Sequence, residues 1–463
     1  MKKRTNDLQK EKKIVPQLAA GFRDYLPEDM IPRQQMFDTI RKVFERFGFV
    51  PLSTPALELE TILTGGDPNF KMNIFKTNIQ VGWDVLALRF DLTVPLARVI
   101  AQYQNEIKKP FKRYQVGPVW RAEKPQAGRF REFIQFDADI VGSSSMMADA
   151  EIIALMYAVM TALGVENFRI RVNDRKILNG LAEYAGYPSE KNVDVLRIID
   201  KLDKQGWDAV RKELINTAIL KGENRGGPGL SSEQADAIKR FLDLRGNTQE
   251  EALSEVSKLM ENSASAKEGI KELSEILMNV RALGVPDDVW MFDLSVARGL
   301  GYYTGPVFET MLLDLPEFGS VLSGGRYDEL VKKLCGVAAP ATGASVGVDR
   351  LFAALEKLGK LKKEKTVTQI MVLNFDAKAE KYVQEIATTL RDANIPTEVY
   401  LGNESKLRDQ LGFAATSEIP VVIIAGGDEA QKGIAQVKNM KEGEQETVDK
   451  SEIIAKVKAV LSS

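Results

Sequence analysis

The sequence predicts a multidomain α+β and α/β protein: an antiparallel-sheet core, a helical insertion within it, and a small C-terminal α/β domain. Three patterns predict this. Residues 133–141 alternate apolar and polar side chains, as a half-buried antiparallel strand does. Residues 174–283 turn charged and helical in spacing, with a glycine-rich break at Gly222–Gly229. Beyond residue 366, strand-like and helix-like stretches alternate, the pattern of an α/β unit.

Each element follows in chain order. Residues 1–17 form a basic tail, expected to be disordered: Lys2, Lys3, Arg4, Lys10, Lys12 and Lys13 mix with Asp7 and Glu11, and no apolar run follows. The core begins at 18 and runs to 173. Within it, Met36, Ile40, Val43, Phe44 and Phe47 fall at helical spacing over 31–49, Gly48 ends that helix, and 49–52 read as a short strand. Strands are expected at 85–90, 111–120, 133–141 and 168–173, with a buried helix over 147–163. The helical insertion spans 174–285. The core resumes over 286–358, with a strand at 307–313 and a helix at 348–358. A charged linker (359–366, GKLKKEKT) leads to the last domain, 367–463.

Composition excludes several chemistries. The chain has 463 residues, a formal net charge of −2, one cysteine (Cys335) and no histidine. An internal disulfide, a Cys/His zinc site and Ser-His-Asp or Cys-His catalysis are therefore ruled out. Cys335 reads as a small apolar residue, because no histidine exists to activate it. The longest apolar run, Ile152 to Val165, is too short to span a bilayer, so no membrane partner and a cytoplasmic location are expected. Neither a G-x-x-x-x-G-K-[ST] loop nor G-x-G-x-x-G occurs. A nucleotide would have to be held by arginines and a bound metal.

Residues 116–142 read VGPVWRAEKPQAGRFREFIQFDADIVG. One strand ends at Arg121, a turn carries Pro125 and Gly128, and a second strand begins near Arg131. Arg121, Arg129 and Arg131 crowd the arm of this hairpin that is expected to face a ligand. Guanidinium stays charged and pairs bidentately with phosphate, and Phe133 offers a ring to a purine. A solvated basic hairpin is the plain alternative.

This hairpin resembles motif 2 of class II aminoacyl-tRNA synthetases. Residues 342–355 (TGASVGVDRLFAAL) resemble motif 3, a strand running into a helix with Arg350 at the junction, and residues 31–58, with Pro55, resemble motif 1. RGLGYYTGPVFE at 298–309, SGGRYDEL at 323–330 and GFRDYLPEDM at 21–30 are similar to segments peculiar to the histidyl-tRNA synthetase family. Residues 419–429 resemble its anticodon-binding domain.

The resemblance implies a site. Arg121 would grip the α-phosphate of ATP, Glu123 would read the adenine amino group, and Arg129 would hold the outer phosphates with Mg2+. Phe133 and Arg350 would sandwich adenine. Asp91, Thr93 and Gln135 would take the α-amino group of L-histidine. Arg298 would bind its carboxylate and the α-phosphate. Asp139 and Tyr303 would read the imidazole, with Tyr302 and Tyr327 lining the pocket. The chemistry is coherent on its own: a zwitterion needs an anion and a cation, and a carboxylate with a phenol can fix an imidazole tautomer.

Plainer readings stand beside these. Asp91 could cap a turn or pair with Arg89, Glu123 could pair with Arg121, Tyr302 could be a core aromatic, and Gly324 and Gly325 could mark a tight turn. Some family members carry histidine at two motif 2 places held here by Ala122 and Ile134, and an acidic residue is usual where Gly301 stands.

The activity implied is formation of histidyl-adenylate, then transfer of histidine to the 3′-terminal ribose of tRNA(His) by a homodimer. The insertion would clamp the acceptor arm and the last domain would read the anticodon. The alternative is a catalytically inactive, synthetase-like regulator that senses histidine or uncharged tRNA.

Overall fold

The computed structural model describes residues 15–65, 74–81, 84–123, 130–217, 226–297, 302–403 and 406–462. Most of the basic tail, the turn bearing Arg129, the first half of the glycine-rich break and the segment bearing Arg298 and Gly301 lie outside these residues. Two compact units are present. One runs through Arg23 and from Asp38 to Lys360; the other takes Asp24–Phe37 with the chain from Leu361 onward.

In chain order the first unit's strands are β1 (Val50–Pro51), β2 (Leu57–Leu59), β3 (Lys76–Val81), β4 (Asp84–Leu88), β5 (Phe111–Trp120), β6 (Glu132–Val141), β7 (Phe168–Asp174), β8 (Trp290–Phe292), β9 (Pro306–Leu312), β10 (Ser320–Arg326) and β11 (Ala341–Gly347). Eight form one sheet in the order β1-β5-β6-β11-β10-β9-β7-β8; β2-β4-β3 form a small second sheet. The large sheet is antiparallel except at its two edges, where β1 runs parallel to β5 and β8 parallel to β7.

Strand periodicity sorts this sheet into two chemically different faces. On β6, Phe136, Ala138 and Ile140 point to one side and are fully buried. Phe44, on the helix Pro27–Arg46, meets the Phe136 ring edge-on at 5.0 Å. The helix Met146–Ala162, capped by Ser145, covers the same apolar side across β6, β7, β9, β10 and β11. Each such aromatic or aliphatic side chain removed from water is worth about 1.5–3 kcal/mol, so this face holds the sheet together. The opposite face carries Gln135, Asp137 and Asp139, and it has to be polar for another reason.

Between β7 and β8 the described chain is helical: Arg175–Asn179, Leu181–Ala185, Asn192–Ile199, Leu202–Ile215, Ser232–Leu242, Gln249–Leu259 and Ala264–Ala282. Ser231 and Gln234 start Ser232–Leu242 with a reciprocal capping box. The last of these helices packs on Met146–Ala162 and on β7, seating the insertion on the core.

In the second unit, β12 (Ile370–Val372), β13 (Thr397–Val399), β14 (Val421–Ile424), β15 (Ile434–Asn439) and β16 (Gln445–Asp449) form a sheet ordered β13-β12-β14-β15-β16. Ile370, Val372, Val421 and Ile423 pack beneath Val383, Ile386 and Leu390 of the helix Glu380–Asp392, while Met371, Val422 and Ile424 pack with Tyr400 and Ala414 on the other side. Burial on both faces explains why IPVVIIA reads as a continuous apolar run rather than an alternating one.

Candidate active site

The polar face of the large sheet is the floor of a cavity of about 320 Å³, a size within the range of small-molecule sites. Register explains who lines it. Asp139 lies opposite Gly343, Asp137 opposite Ser345, Ser345 opposite Ser323, and Ser323 opposite Glu309. Gln135, Asp137, Asp139, Ser345, Gly343, Ser323 and Glu309 all border the cavity. Asp91, Thr93, Arg121, Tyr302, Tyr303, Tyr327 and Arg350 complete the walls.

The acidic residues are held in distinct ways. Asp139 accepts a hydrogen bond from the Tyr327 hydroxyl through Oδ1, and its Oδ2 lies 2.7 Å from Nη2 of Arg113. Asp91 uses Oδ1 to cap the turn at Val94 N (3.1 Å), whereas its buried Oδ2 has no hydrogen-bond partner. Gln135 donates through Nε2 to Ser345 Oγ at 2.9 Å, and its Oε1 is likewise buried without a partner. Burial pushes the Asp91 carboxyl up to about 6, opposed by the Val94 amide, Arg121 and Arg113. Burial also pushes Asp137 up to about 7, Arg113 opposing and Asp139 reinforcing. Asp139 is raised by the same burial, with Arg113 and Tyr327 opposing. The hydroxyls of Tyr302, Tyr303 and Tyr327 are all pushed up by burial and stay protonated donors.

Two further cations line the cavity. Arg121 follows β5, donates from Nε to the Phe90 carbonyl at 3.2 Å, and lies 5.0 Å from the centre of the Phe133 ring. Arg350 sits in the first turn of the helix Val348–Lys357 directly after β11, and its Nη1 donates to the Ser320 carbonyl. Asp349 beside it accepts from Ile134 N at 2.8 Å, tying that helix start to β6.

Of the residues singled out in the sequence, Asp91, Thr93, Arg121, Gln135, Asp139, Tyr302, Tyr303, Tyr327 and Arg350 therefore share one cavity. Phe133 is adjacent through Arg121. Glu123 is exposed, and its carbonyl accepts from Nε of Arg131 at 3.2 Å. Arg129 and Arg298 lie outside the described residues.

Two expectations need correction. Arg131 does not face a ligand: its Nη1 donates to Ala20 O at 3.3 Å and its amide to Gly21 O at 2.8 Å, so it fastens the N-terminal segment. Gly324 and Gly325 do not form a tight turn but lie inside β10, where added Cβ atoms would fall 2.1 Å from Gly343 O and 2.7 Å from Pro306 O.

Asp137, Arg113, Ser345 and Glu309 were missed. Asp137 was recoverable, since it lies two residues from both Gln135 and Asp139 on one strand. Arg113 needed the β5–β6 register, which no local pattern supplies.

The family model for histidyl-tRNA synthetase matches residues 21–351, and that for an anticodon binding domain matches residues 369–460. A histidine–tRNA ligase of Rhodopirellula baltica is 42% identical over 438 residues, covering 94% of this chain and 96% of the relative. One from Wolinella succinogenes is 41% identical over 446 residues, covering 96% and 98%. The solved histidyl-tRNA synthetase from Nostoc sp. PCC 7120 superposes with a TM-score of 0.82 at 32% identity, covering 96% of this chain and 100% of that one. An ATP phosphoribosyltransferase regulatory subunit/histidyl-tRNA synthetase from Bacillus halodurans gives 0.71 at 25% identity, covering 90% and 100%. On the family match and the length of these alignments, the chain belongs to the histidyl-tRNA synthetase family, the class II ligases for histidine.

Proposed function

We propose that the cavity activates L-histidine with ATP and that its product is passed to the 3′-terminal ribose of tRNA(His). The observation that carries this reading is a pair of buried acceptors, Asp91 Oδ2 and Gln135 Oε1, without hydrogen-bond partners on a cavity that also holds Arg121 and Arg350. Buried acceptors left open are costly unless a ligand completes them. An ammonium group does so, and the carboxylate of the same zwitterion is then directed toward the cations.

In the first step a carboxylate oxygen of histidine attacks the α-phosphorus of ATP, the bond to the β-phosphate oxygen breaks, and pyrophosphate leaves. In the second, the ribose hydroxyl attacks the acyl carbon and AMP leaves. Arg121 would stabilise charge on the α-phosphate, with Arg298 on the carboxylate side. Phe133 and Arg350 would enclose adenine, Glu123 would read its amino group, and Arg129 would hold the outer phosphates. Asp139 and Tyr303 would read the imidazole. Tyr302 and Tyr327 would wall that pocket, Tyr327 acting through its bond to Asp139. Positioning and electrostatics suffice for an in-line displacement, so no protein imidazole is required.

Mg2+ fits this site as a phosphate-bound ion. Among the described residues no three His, Cys, Asp or Glu side chains gather into a metal cage, whereas Glu309 on the β9 floor supplies one carboxylate that would share an ion held mainly by phosphates. When bound, the ion would neutralise charge developing on those phosphates.

We further propose a cytoplasmic homodimer, with residues 174–285 contacting the acceptor arm and residues 367–463 reading the anticodon. No helix among the described residues is long and apolar enough to cross a membrane. Intact Arg121 and Arg350 on the cavity favour the ligase over a histidine-sensing regulator. Amino-acid-dependent ATP–pyrophosphate exchange with all twenty amino acids tests the reading: exchange with histidine alone is expected, and exchange with none would favour the regulator.

A further inference from the structure

One guanidinium outside the substrate-contacting set joins three parts of the first unit. Arg171 lies in the middle of β7, directly across from Glu309 on β9. Its Nη1 and Nη2 donate to Asp203 Oδ1 and Oδ2 at 3.3 and 2.8 Å, a two-pronged contact with the short helical turn of the insertion that precedes the backbone break at Gly206. Nη2 also reaches Glu309 Oε2 at 3.1 Å, and Nη1 lies 3.5 Å from Asp293 Oδ2.

Each of the three carboxylates belongs to a different element. Glu309 is 1% exposed and forms part of the cavity floor. Asp203 is three residues beyond Asp200, which borders the same cavity from the insertion. Asp293 organises residues 293–297: its Oδ1 accepts from Ser295 N at 3.0 Å and from Ser295 Oγ at 2.6 Å. Asn173, two residues along β7 from Arg171, holds that segment too, donating to Leu294 O and Val296 O at 3.2 and 3.1 Å. Val296 also borders the cavity.

Three carboxylates converge here on Arg171, with Arg245 Nη2 3.7 Å from Asp293 as a second cation. Without Arg171 between them, like charges would drive the three elements apart. Its planar fork also fixes their angles, which a flexible ammonium would not.

We propose that Arg171 is a positioning residue: it locks the insertion turn at Asp203, residues 293–297 and the Glu309 floor into one arrangement, so that displacement of the insertion is felt at the reaction centre. This rests on the cavity being the site of histidine activation.

Asp203→Asn is the primary test, because Asp203 is partly exposed and lies outside the cavity. Arg171→Lys and the double variant accompany it, all as full-length protein. Histidine-dependent pyrophosphate exchange, thermal denaturation and amide hydrogen exchange over residues 293–297 are measured together. Asp203→Asn is expected to lower kcat about tenfold while KM for histidine changes less than about threefold, with faster exchange over 293–297 and an unchanged Tm. The double variant should be no worse than Arg171→Lys alone, because both remove one arrangement. Wild-type kcat and unaltered amide protection in Asp203→Asn would overturn the proposal, as would losses that simply add. Failure of Arg171→Lys to fold leaves Asp203→Asn to decide. Absence of histidine-dependent exchange in the wild type would instead overturn the functional reading, and the amide protection would still judge the coupling.

Discussion

Arg113 and Asp139 face each other across β5 and β6, 2.7 Å apart from Nη2 to Oδ2, with side chains 0% and 4% exposed. The pair sits where the imidazole is proposed to bind, and Arg113 does more than hold one partner. It also opposes the upward shifts of Asp91 and Asp137, so one buried cation serves three buried acids. Its Nη2 further donates to Leu92 O at 3.2 Å, next to Asp91.

Removing that cation should therefore be severe and pH-dependent. Arg113→Met is expected to cost about 3–5 kcal/mol at pH 8, because it strands ionised carboxylates in the interior. The loss should shrink toward pH 5, where the same carboxyls take up protons and carry no charge to strand. Urea denaturation at both pH values measures this, and an equal loss at both would show that the acids are already neutral beside Arg113.

The shifts of Asp91 and Asp137 give the sign of a second effect. Their folded values, about 6 and about 7, lie above the ordinary carboxyl range, so the free protein binds these protons more tightly than the unfolded chain does. Their contribution to stability is therefore full below about pH 4 and is lost as pH rises through about 6 to about 7. A bound ammonium favours the ionised forms and should recover that loss. The rise in Tm caused by histidine is thus expected to be larger at pH 8 than at pH 5.5. Free histidine titrates near about 6.5 itself, so the comparison is made against Asp91→Asn, which should show a flatter profile. Identical profiles would remove Asp91 from ammonium binding.

Much of this was legible in the sequence, for identifiable reasons. Phe111–Trp120 appears as expected because Phe111, Tyr114, Val116, Val119 and Trp120 spread strand-favouring side chains between Pro110 and the hairpin turn. The alternation over 133–141 signalled the half-buried strand β6, on which Gln135 and Asp139 share a face. The strand β10 was not recognised, because SVLSGGR carries glycine where side chains usually signal a strand. Those glycines answer to the neighbouring strands, and that is tertiary information. Arg113 and Glu309 were hidden for the same reason: each looks like an ordinary strand charge until cross-strand register puts it beside a partner.

Gly343 shows what close packing demands of such a position. A Cβ there would stand 2.1 Å from Asp139 Oδ1 and 2.7 Å from Ala138 O. Asp139 cannot simply swing aside, since Tyr327 and Arg113 hold both of its oxygens. Gly343→Ala is expected to destabilise the fold by about 1–3 kcal/mol. It should also raise KM for histidine about tenfold or more by displacing the carboxylate proposed to read the imidazole. ATP affinity should move far less. An unchanged KM for histidine would mean that Asp139 is not the reader of the side chain.

The open acceptors on Asp91 and Gln135 give a sharper test, because they separate one end of the substrate from the other. Asp91 supplies charge and Gln135 a neutral oxygen, and both are buried and lack a partner at those atoms. Hydrogen bonds to a charged group are worth about 1.5–3 kcal/mol each, so Asp91→Asn should raise KM for histidine by roughly 10- to 100-fold. Gln135→Leu should do less, because it removes a neutral acceptor and also frees Ser345 Oγ from its 2.9 Å contact. The discriminating ligand is imidazolepropionate, which keeps the ring and carboxylate but lacks the ammonium. Against the wild-type protein it should bind far more weakly than histidine, since it leaves both acceptors unsatisfied. Against Asp91→Asn the gap should narrow, because the variant has lost the group that recognises the difference. Calorimetric titration of both ligands into both proteins gives the four affinities. An undiminished gap in the variant would place the ammonium elsewhere in the cavity.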